Sequence, residues 1–493
     1  MAEDLVEMQA FLESAGVDFS EKDRLDALEK MDLELIRRPY IESVVSYYSA
    51  VGWRKFDPWF HVRMAASVGV ESPYLIPGGS FRSDIIRCFN DKPMRKAYTD
   101  KNIYDLIVRT DSKPRNIIRS VRGRLFSLDG RQRPWVDMIE HLSPDCDYII
   151  KPSSTDNGVG VSRCRRIGNQ LKVDGEMLDL NALFSRFSQD FLVQEKIEQH
   201  KSLAKIHPDS VNTIRAVTFR WDGEIHFLLA FLRVGNSGLV NDNAGTGGFC
   251  VGLNDQGRLK SYAVDKCWGV IHQHPMTGYD FRDPLVVSGF SGVKQFAVDL
   301  HKDILHHDLV SWDIAIDKYS NPVFVGHNFK GAFWLYQLAT EQPLFGSLSA
   351  DVIPHVASEF RRRRARAREE RKQSSRQGEK SAVHIVITGV VQGVKYRKWL
   401  KRKAIQCGVT GWVRNRSDGG VEARLFGGRP TVLGLVGDCI RGPKRARVRS
   451  VRCSPLEYRP RKGFKIKKAK REARSEPSLS IMSRMWRAFL RFR

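Results

Sequence analysis

The sequence predicts a multidomain protein of α/β and α+β class, a large α/β unit followed by a smaller α+β unit. Three observations lead there. First, 493 residues leave room for two to four domains, each able to bury its own core. Second, between about residues 53 and 345 strand and helix patterns mix with hairpin signals. Trp221-Asp222-Gly223-Glu224, for instance, separates the alternating runs 213–219 and 225–232. Third, after a charge-rich interruption, a strand at 384–388, a glycine loop and a helix at 396–407 are followed by an alternating strand at 420–426. A helix then carries Val432, Leu435, Val436, Cys439 and Ile440 on one buried stripe.

Taken in chain order, residues 1–52 read as acidic helices, with Leu25, Leu28, Met31, Leu33 and Leu35 forming a rough helical stripe for packing or a partner. Residues 53–350 form the large unit. Residues 351–380, in which the stretch from Arg361-Arg362-Arg363-Arg364 onward is almost devoid of apolar side chains, read as a basic linker that is helical at its start. Residues 381–470 form the second unit. In the tail, 471–493, Met482, Met485, Trp486, Phe489 and Leu490 share one helical face and Arg484, Arg487 and Arg491 another. Such a helix fits an anionic membrane surface or a neighbouring domain, and the pattern leaves both open.

The formal net charge of +25 is unevenly placed: residues 351–493 hold 39 Lys/Arg against 11 Asp/Glu, so the basic character belongs to the C-terminal third. Basic clusters bind polyanions without specificity, and no aromatic-rich strand of the RNA-recognition kind supports specific nucleic-acid readout. The eight cysteines show no C-x-x-C spacing, which argues against a zinc site or disulfide framework and for reduced, buried thiols. The acidic N-terminus lacks an apolar signal core and no run is long enough to cross a membrane, so a cytoplasmic protein is expected, membrane-peripheral if the tail binds lipid.

The most specific chemistry lies in Gly389-Val390-Val391-Gln392-Gly393-Val394-Lys395-Tyr396-Arg397, with Asn415 of Gly411-Trp412-Val413-Arg414-Asn415 eighteen residues after the arginine. A glycine loop between strand and helix can converge the N–H groups of Gln392, Gly393, Val394, Lys395 and Tyr396 on one anion at the positive end of the helix. Arg397 adds a planar fork that binds two phosphoryl oxygens. This pattern resembles the acylphosphatase family, over about the last fifth of the chain. The resemblance implies a ferredoxin-like βαββαβ fold, a phosphate held by Arg397 and an attacking water oriented by Asn415. Because an acyl phosphate expels a weakly basic carboxylate, positioning and charge stabilisation suffice. Lys395, in the variable slot, adds charge beside the loop.

In the large unit, Asp145-Cys146-Asp147-Tyr148-Ile149-Ile150-Lys151-Pro152 puts a lysine at the end of an apolar strand, and the polar loop 153–160 follows. No P-loop motif occurs. The run Phe191 to Glu198 reads as a buried strand that turns polar. His207-Pro208-Asp209-Ser210-Val211-Asn212-Thr213-Ile214-Arg215, with Asp100-Lys101-Asn102, Asn241-Asp242-Asn243 and Ser311-Trp312-Asp313, resembles the sugar-transfer associated branch of the ATP-grasp superfamily over residues 80–346. The resemblance implies ATP with Mg²⁺: Lys101 and Lys151 on the nucleotide phosphates, Glu195, Lys196 and Ile197 framing adenine, Arg215 facing the γ-phosphate or an acceptor carboxylate, and Asp313 and Asn328 as metal ligands. A departure stands at Val325-Gly326-His327-Asn328, where the family carries a glutamate and this chain has Gly326.

The two resemblances share an intermediate, since ATP-grasp enzymes form the class of acyl phosphate that acylphosphatases hydrolyse. The expectation is therefore an acylphosphatase fused to a domain that binds ATP and Mg²⁺ and forms an acyl phosphate for carboxylate–amine ligation, the carboxylate and acceptor being unspecified. Two alternatives stand beside it: an active acylphosphatase on a degenerate nucleotide-sensing scaffold, and a basic polyanion- or membrane-anchored binding protein.

Overall fold

A computed structural model describes residues 2–468 except 21, 54–55, 156–157, 237–241, 243, 284, 378–379 and 460–461. The expected amphipathic tail and the flanking Asn241 and Asn243 lie outside the described residues. The chain divides into two compact units, Met1–Phe360 and Arg361–Arg493.

Two seven-stranded sheets build the first unit. One runs, edge to edge, through Arg124–Phe126, Asn116–Val121, Phe191–Glu195, Asp147–Pro152, Ser162–Ile167, Gln170–Val173 and Glu176–Leu178, every pairing antiparallel. Ile118, Ile150, Phe191 and Val193 bury one face of it against Met138 and Ile139 of the helix Trp135–Glu140 and Leu183 and Phe187 of the helix Leu180–Phe187.

The second sheet runs through Val270–Ile271, Ala263–Val264, Phe249–Gly252, Glu224–Val234, Ile214–Trp221, Leu309–Ile316 and Pro322–Asn328. Its central hairpin forms where the turn residues require it, with Asp222 and Gly223 at φ 51° and 83° between the paired Trp221 and Glu224. Both faces are covered. Ile214, Ala216 and Leu232 meet Val293, Ala297 and Leu300 of the helix Phe290–Lys302, while Val217, Phe219, Leu229 and Phe231 join Leu12, Ile41, Val44 and Tyr48 of the N-terminal helices. Residues 1–52 thus complete a core of their own chain. The predicted leucine stripe dissolves, because the helix Lys22–Leu28 ends at Leu28, the one fully buried member, and Leu33–Leu35 is a 3₁₀ turn with Leu35 45% exposed.

The charge-rich segment is more ordered than a linker, forming one helix over Ser349–Gln377. Val352, Ile353, Val356 and Ala357 bury its start in the first unit, and the Arg, Ala, Glu, Lys and Gln that follow are strong helix formers. In the second unit the sheet order is Arg447–Pro455, Lys380–Val390, Val421–Gly428, Thr410–Asn415 and Phe464–Ile466, with the helices Tyr396–Gln406 and Arg429–Arg441 burying Leu400, Ala404, Val432, Leu435 and Cys439 against it. This is the ferredoxin-like βαββαβ arrangement. Ile440, placed on the buried stripe by its spacing, is 61% exposed at the last turn. None of the eight cysteines is in a disulfide, but only Cys164, Cys250 and Cys439 are buried; Cys146, Cys267 and Cys453 are exposed. Among the described residues no helix is long and apolar enough to cross a membrane.

Candidate functional site

In the first unit, side chains from both sheets surround a cavity of about 190 Å³. Lys101, Lys151, Glu195, Ile197, Arg215, Asp313 and Asn328 all line it. Lys196 does not: its ammonium stands 4.0 Å from Asp147 Oδ2, because successive residues at the end of an extended run point to opposite sides. Glu195 turns its carboxylate to Arg115 at 2.6 Å. The Lys101 ammonium donates to the carbonyls of Ser153 and Thr155 at 3.2 and 2.7 Å and so anchors the following loop.

Lys151 has a different environment. Only 7% exposed, it makes no hydrogen bond through its ammonium to any described residue. Burial, with Lys101 adding repulsion, pulls its pKa down to about 7, against some support from Asp313. A buried ammonium facing a cavity without a counter-ion is an anion site in waiting.

Strand register creates the charged centre of the cavity. Arg215 and Asp313 are paired residues on adjacent strands, and Gly326 is the partner of Asp313 on the other side. Arg215 grips Asp313 through two bonds, Nε to Oδ1 at 2.6 Å and Nη2 to Oδ2 at 3.1 Å, and gives a third to the Tyr336 hydroxyl at 2.9 Å. Arg233 bridges Asp313 Oδ1 at 2.9 Å and Asp242 Oδ1 at 2.8 Å, and Asp242 Oδ2 accepts the Thr213 N–H at 2.8 Å and its hydroxyl. The result is an alternating chain, Arg215, Asp313, Arg233, Asp242. Burial alone would raise the Asp313 carboxyl, yet the two guanidiniums hold it below the usual carboxylate range. Asp242, with one guanidinium, is held above that range by its burial.

Sequence reasoning had assigned no role to Arg233 or Asp242. The available signal was a charged residue ending the apolar run of the strand Glu224–Val234, a position where burial demands a partner.

The expected magnesium ligands do not form a metal shell. Both oxygens of Asp313 accept from guanidiniums, Asn328 Oδ1 accepts the Lys330 N–H at 2.7 Å, and Gly326 supplies no donor atom. Among the described residues no three His, Cys, Asp or Glu side chains converge as a metal-ligating group. Mg²⁺ takes one or two carboxylates together with phosphates and water, and the one carboxylate of this set is already engaged by two guanidiniums.

The second unit contains a different kind of site. Gly393 and Lys395 adopt φ 76° and 60°, so the loop alternates in hand just ahead of the helix Tyr396–Gln406 and its N–H groups can turn toward one side. Among the described residues the N–H groups of Gln392, Gly393, Val394, Lys395 and Tyr396 donate to no protein acceptor. Two buried anchors hold the loop: Val391 lies in the core, and the Tyr396 hydroxyl donates to the Cys439 carbonyl at 2.6 Å. Arg397, in the first turn, makes no hydrogen bond or ion pair with a described residue.

Asn415 ends its strand beside this loop. Its Nδ2 donates to Gln392 Oε1 at 3.1 Å, and Gln392 Nε2 in turn donates to the carbonyls of Arg416 and Gly420 at 2.8 and 2.7 Å. The Asn415 Oδ1 is buried and has no partner. Glycine at 411 is obligatory, since at φ 140° a Cβ would lie 1.9 Å from the Arg424 carbonyl on the neighbouring strand. Among the described residues the arrangement offers a row of N–H donors without acceptors, a guanidinium without a partner in the adjoining first helical turn and an orphaned amide oxygen tethered to the loop: donors for an anion and an acceptor for water.

Comparison with known proteins bears on both units. The family described as sugar-transfer associated ATP-grasp matches residues 80–351, and that described as acylphosphatase matches residues 383–466. An acylphosphatase of Rhodopseudomonas palustris is 52% identical over 67 residues, 14% of this chain and 68% of that protein. One of Pelotomaculum thermopropionicum is 42% identical over 88 residues, 18% of this chain and 96% of that protein. Among solved structures, a D-alanine–D-alanine ligase of Bacillus anthracis is 12% identical with a TM-score of 0.31, covering 58% of this chain and 77% of that one.

Proposed function

The chain belongs to the sugar-transfer associated ATP-grasp family over residues 80–351 and to the acylphosphatase family over residues 383–466, and from that premise we propose that it hydrolyses an acyl phosphate at the C-terminal site and binds ATP in the cavity of the first unit. The observation that carries the hydrolytic reading is the run of N–H groups from Gln392 to Tyr396, and beside them the Arg397 guanidinium, that have no partner among the described residues.

In this mechanism the loop amides and the Arg397 fork hold the phosphoryl oxygens. Asn415 Oδ1 accepts a hydrogen bond from a water in line with the acyl oxygen. The water oxygen bonds to phosphorus as the phosphorus–acyl oxygen bond breaks, and carboxylate and dihydrogen phosphate leave without a general acid. Phosphate release from benzoyl phosphate by the full-length protein tests it; no release above the uncatalysed rate would end the proposal.

Gln392 acts through Asn415. Gln392→Ala frees the Asn415 amide from its tether, and kcat is expected to fall by about ten-fold with KM little changed, a split that steady-state kinetics resolves.

In the first unit, Lys101, Lys151, Arg215 and Arg233 surround the space offered to the phosphates. The depressed pKa of Lys151 gives this reading a pH signature. A phosphate beside the ammonium favours its charged form, so above about pH 7 binding draws a proton from solvent and affinity falls as pH rises, by up to about ten-fold per unit. Calorimetry at pH 8 in two buffers of different ionisation enthalpy is expected to show uptake of close to one proton, and Lys151→Met is expected to abolish it. Identical enthalpies for the wild type would remove Lys151 from the site.

Bound nucleotide could be turned over to form an acyl phosphate or held without turnover. The donor set around Asp313 favours the second use. Carboxylate-dependent ADP release from the full-length protein would instead establish ligation.

A further inference from the structure

We propose that the cavity binds the nucleotide as the free polyphosphate anion, without a divalent cation. This rests on the reading that the cavity takes ATP, and goes beyond it by specifying the ionic form.

The wall already carries the positive charge that a metal would bring. Lys101, Lys151, Arg215 and Arg233 face the cavity against three carboxylates, Asp313, Asp242 and Glu195, and each carboxylate is committed to guanidinium partners, Glu195 to Arg115. A divalent ion at Asp313 would meet Oδ1 already accepting from both guanidiniums and Oδ2 accepting from Arg215, and would sit beside those two guanidiniums, like charge against like. A phosphate meets the opposite situation. Lys151 offers a desolvated ammonium with no described partner, and Arg215 and Arg233 can share their remaining N–H groups with an anion while keeping Asp313.

Gly326 points the same way. A Cβ there would meet only the Tyr104 ring, at 3.8 Å, and its φ is not in the left-handed region, so neither packing nor backbone conformation requires glycine opposite Asp313. A side chain can therefore leave the backbone at this position without a clash at its Cβ. The absence of a carboxylate leaves the local balance positive, which suits free ATP, with its extra negative charge, better than the magnesium complex.

Calorimetric titration of the full-length protein with ATP, once in EDTA and once in MgCl2 exceeding the nucleotide, decides the matter. The expected result is a Kd in EDTA equal to or lower than that in magnesium. A Kd weakened ten-fold or more by removing magnesium would overturn this inference and leave ATP binding intact; no binding in either buffer would defeat the nucleotide reading itself. Gly326→Glu provides the converse measurement. It is expected to weaken ATP binding in EDTA by about ten-fold and to recover on adding magnesium, as an added carboxylate repels the free anion and offers the metal an uncommitted oxygen ligand. Unchanged binding of this variant in EDTA would count against the charge balance assigned to the cavity.

Discussion

Arg397→Ala is expected to lower kcat/KM for benzoyl phosphate by roughly 10³-fold, and Asn415→Ala to lower kcat by roughly 10²–10³-fold, with the circular dichroism spectrum of each variant unchanged. The arginine supplies the only full positive charge assigned to the phosphoryl group. It is free to do so because no described carboxylate competes for it. Its loss should therefore appear in both KM and kcat, and Arg397→Lys should recover little, since an ammonium cannot donate two parallel bonds. Of the reacting groups Asn415 touches only the water, its Nδ2 being engaged by Gln392, so its loss should leave KM nearly constant. Neither side chain is fully buried, and neither replacement removes a core contact. Turnover within a few-fold of wild type in either variant would remove that residue from the mechanism.

Asp313→Ala is expected to destabilise the first unit by about 3–5 kcal/mol, measured as a shift in its thermal or urea transition in metal-free buffer. The replacement strands the guanidiniums of Arg215 and Arg233, whose side chains are 11% and 10% exposed, around a missing counter-charge. The double variant Asp313→Leu with Arg215→Met should recover most of the loss, because Arg233 remains matched to Asp242 while the unpaired charge is gone. The sign separates two roles: removing a carboxylate reserved for a metal would leave the metal-free protein as stable as before, or more so. The pH dependence follows in the same direction. Burial raises the carboxyl but the guanidiniums prevail and depress it, so its contribution is complete above the unfolded value of about 4 and is lost as pH falls through the lower folded value.

What could be read from the amino-acid order was of short range. The turn at Asp222-Gly223, the strand–loop–helix around Gln392, the spacing to Asn415 and the apolar strand ending at Lys151 depend on backbone preferences and periodicities within a few residues, and each appears in the structure. The misplacements were local readings overruled by packing. Leu35 and Ile440 have the right spacing but stand where an element ends, Lys196 turns to Asp147, and residues 351–377 are helical because apolar residues seat the start and good helix formers carry it on.

The charged centre belongs to the tertiary structure. Arg215 and Asp313 are 98 positions apart, and they meet because their strands are neighbours in one sheet and in a register that sets them side by side. Arg233 joins them from the neighbouring strand Glu224–Val234, and Asp242 from the segment that follows that strand. A sequence states which groups carry charge, but the pairing of charges is decided by strand order and register, which arise from burying both faces of the sheet at once. The resemblance made Asp313 an expected metal ligand; what only the folded arrangement decided is that two guanidiniums sit on its oxygens and a glycine stands opposite.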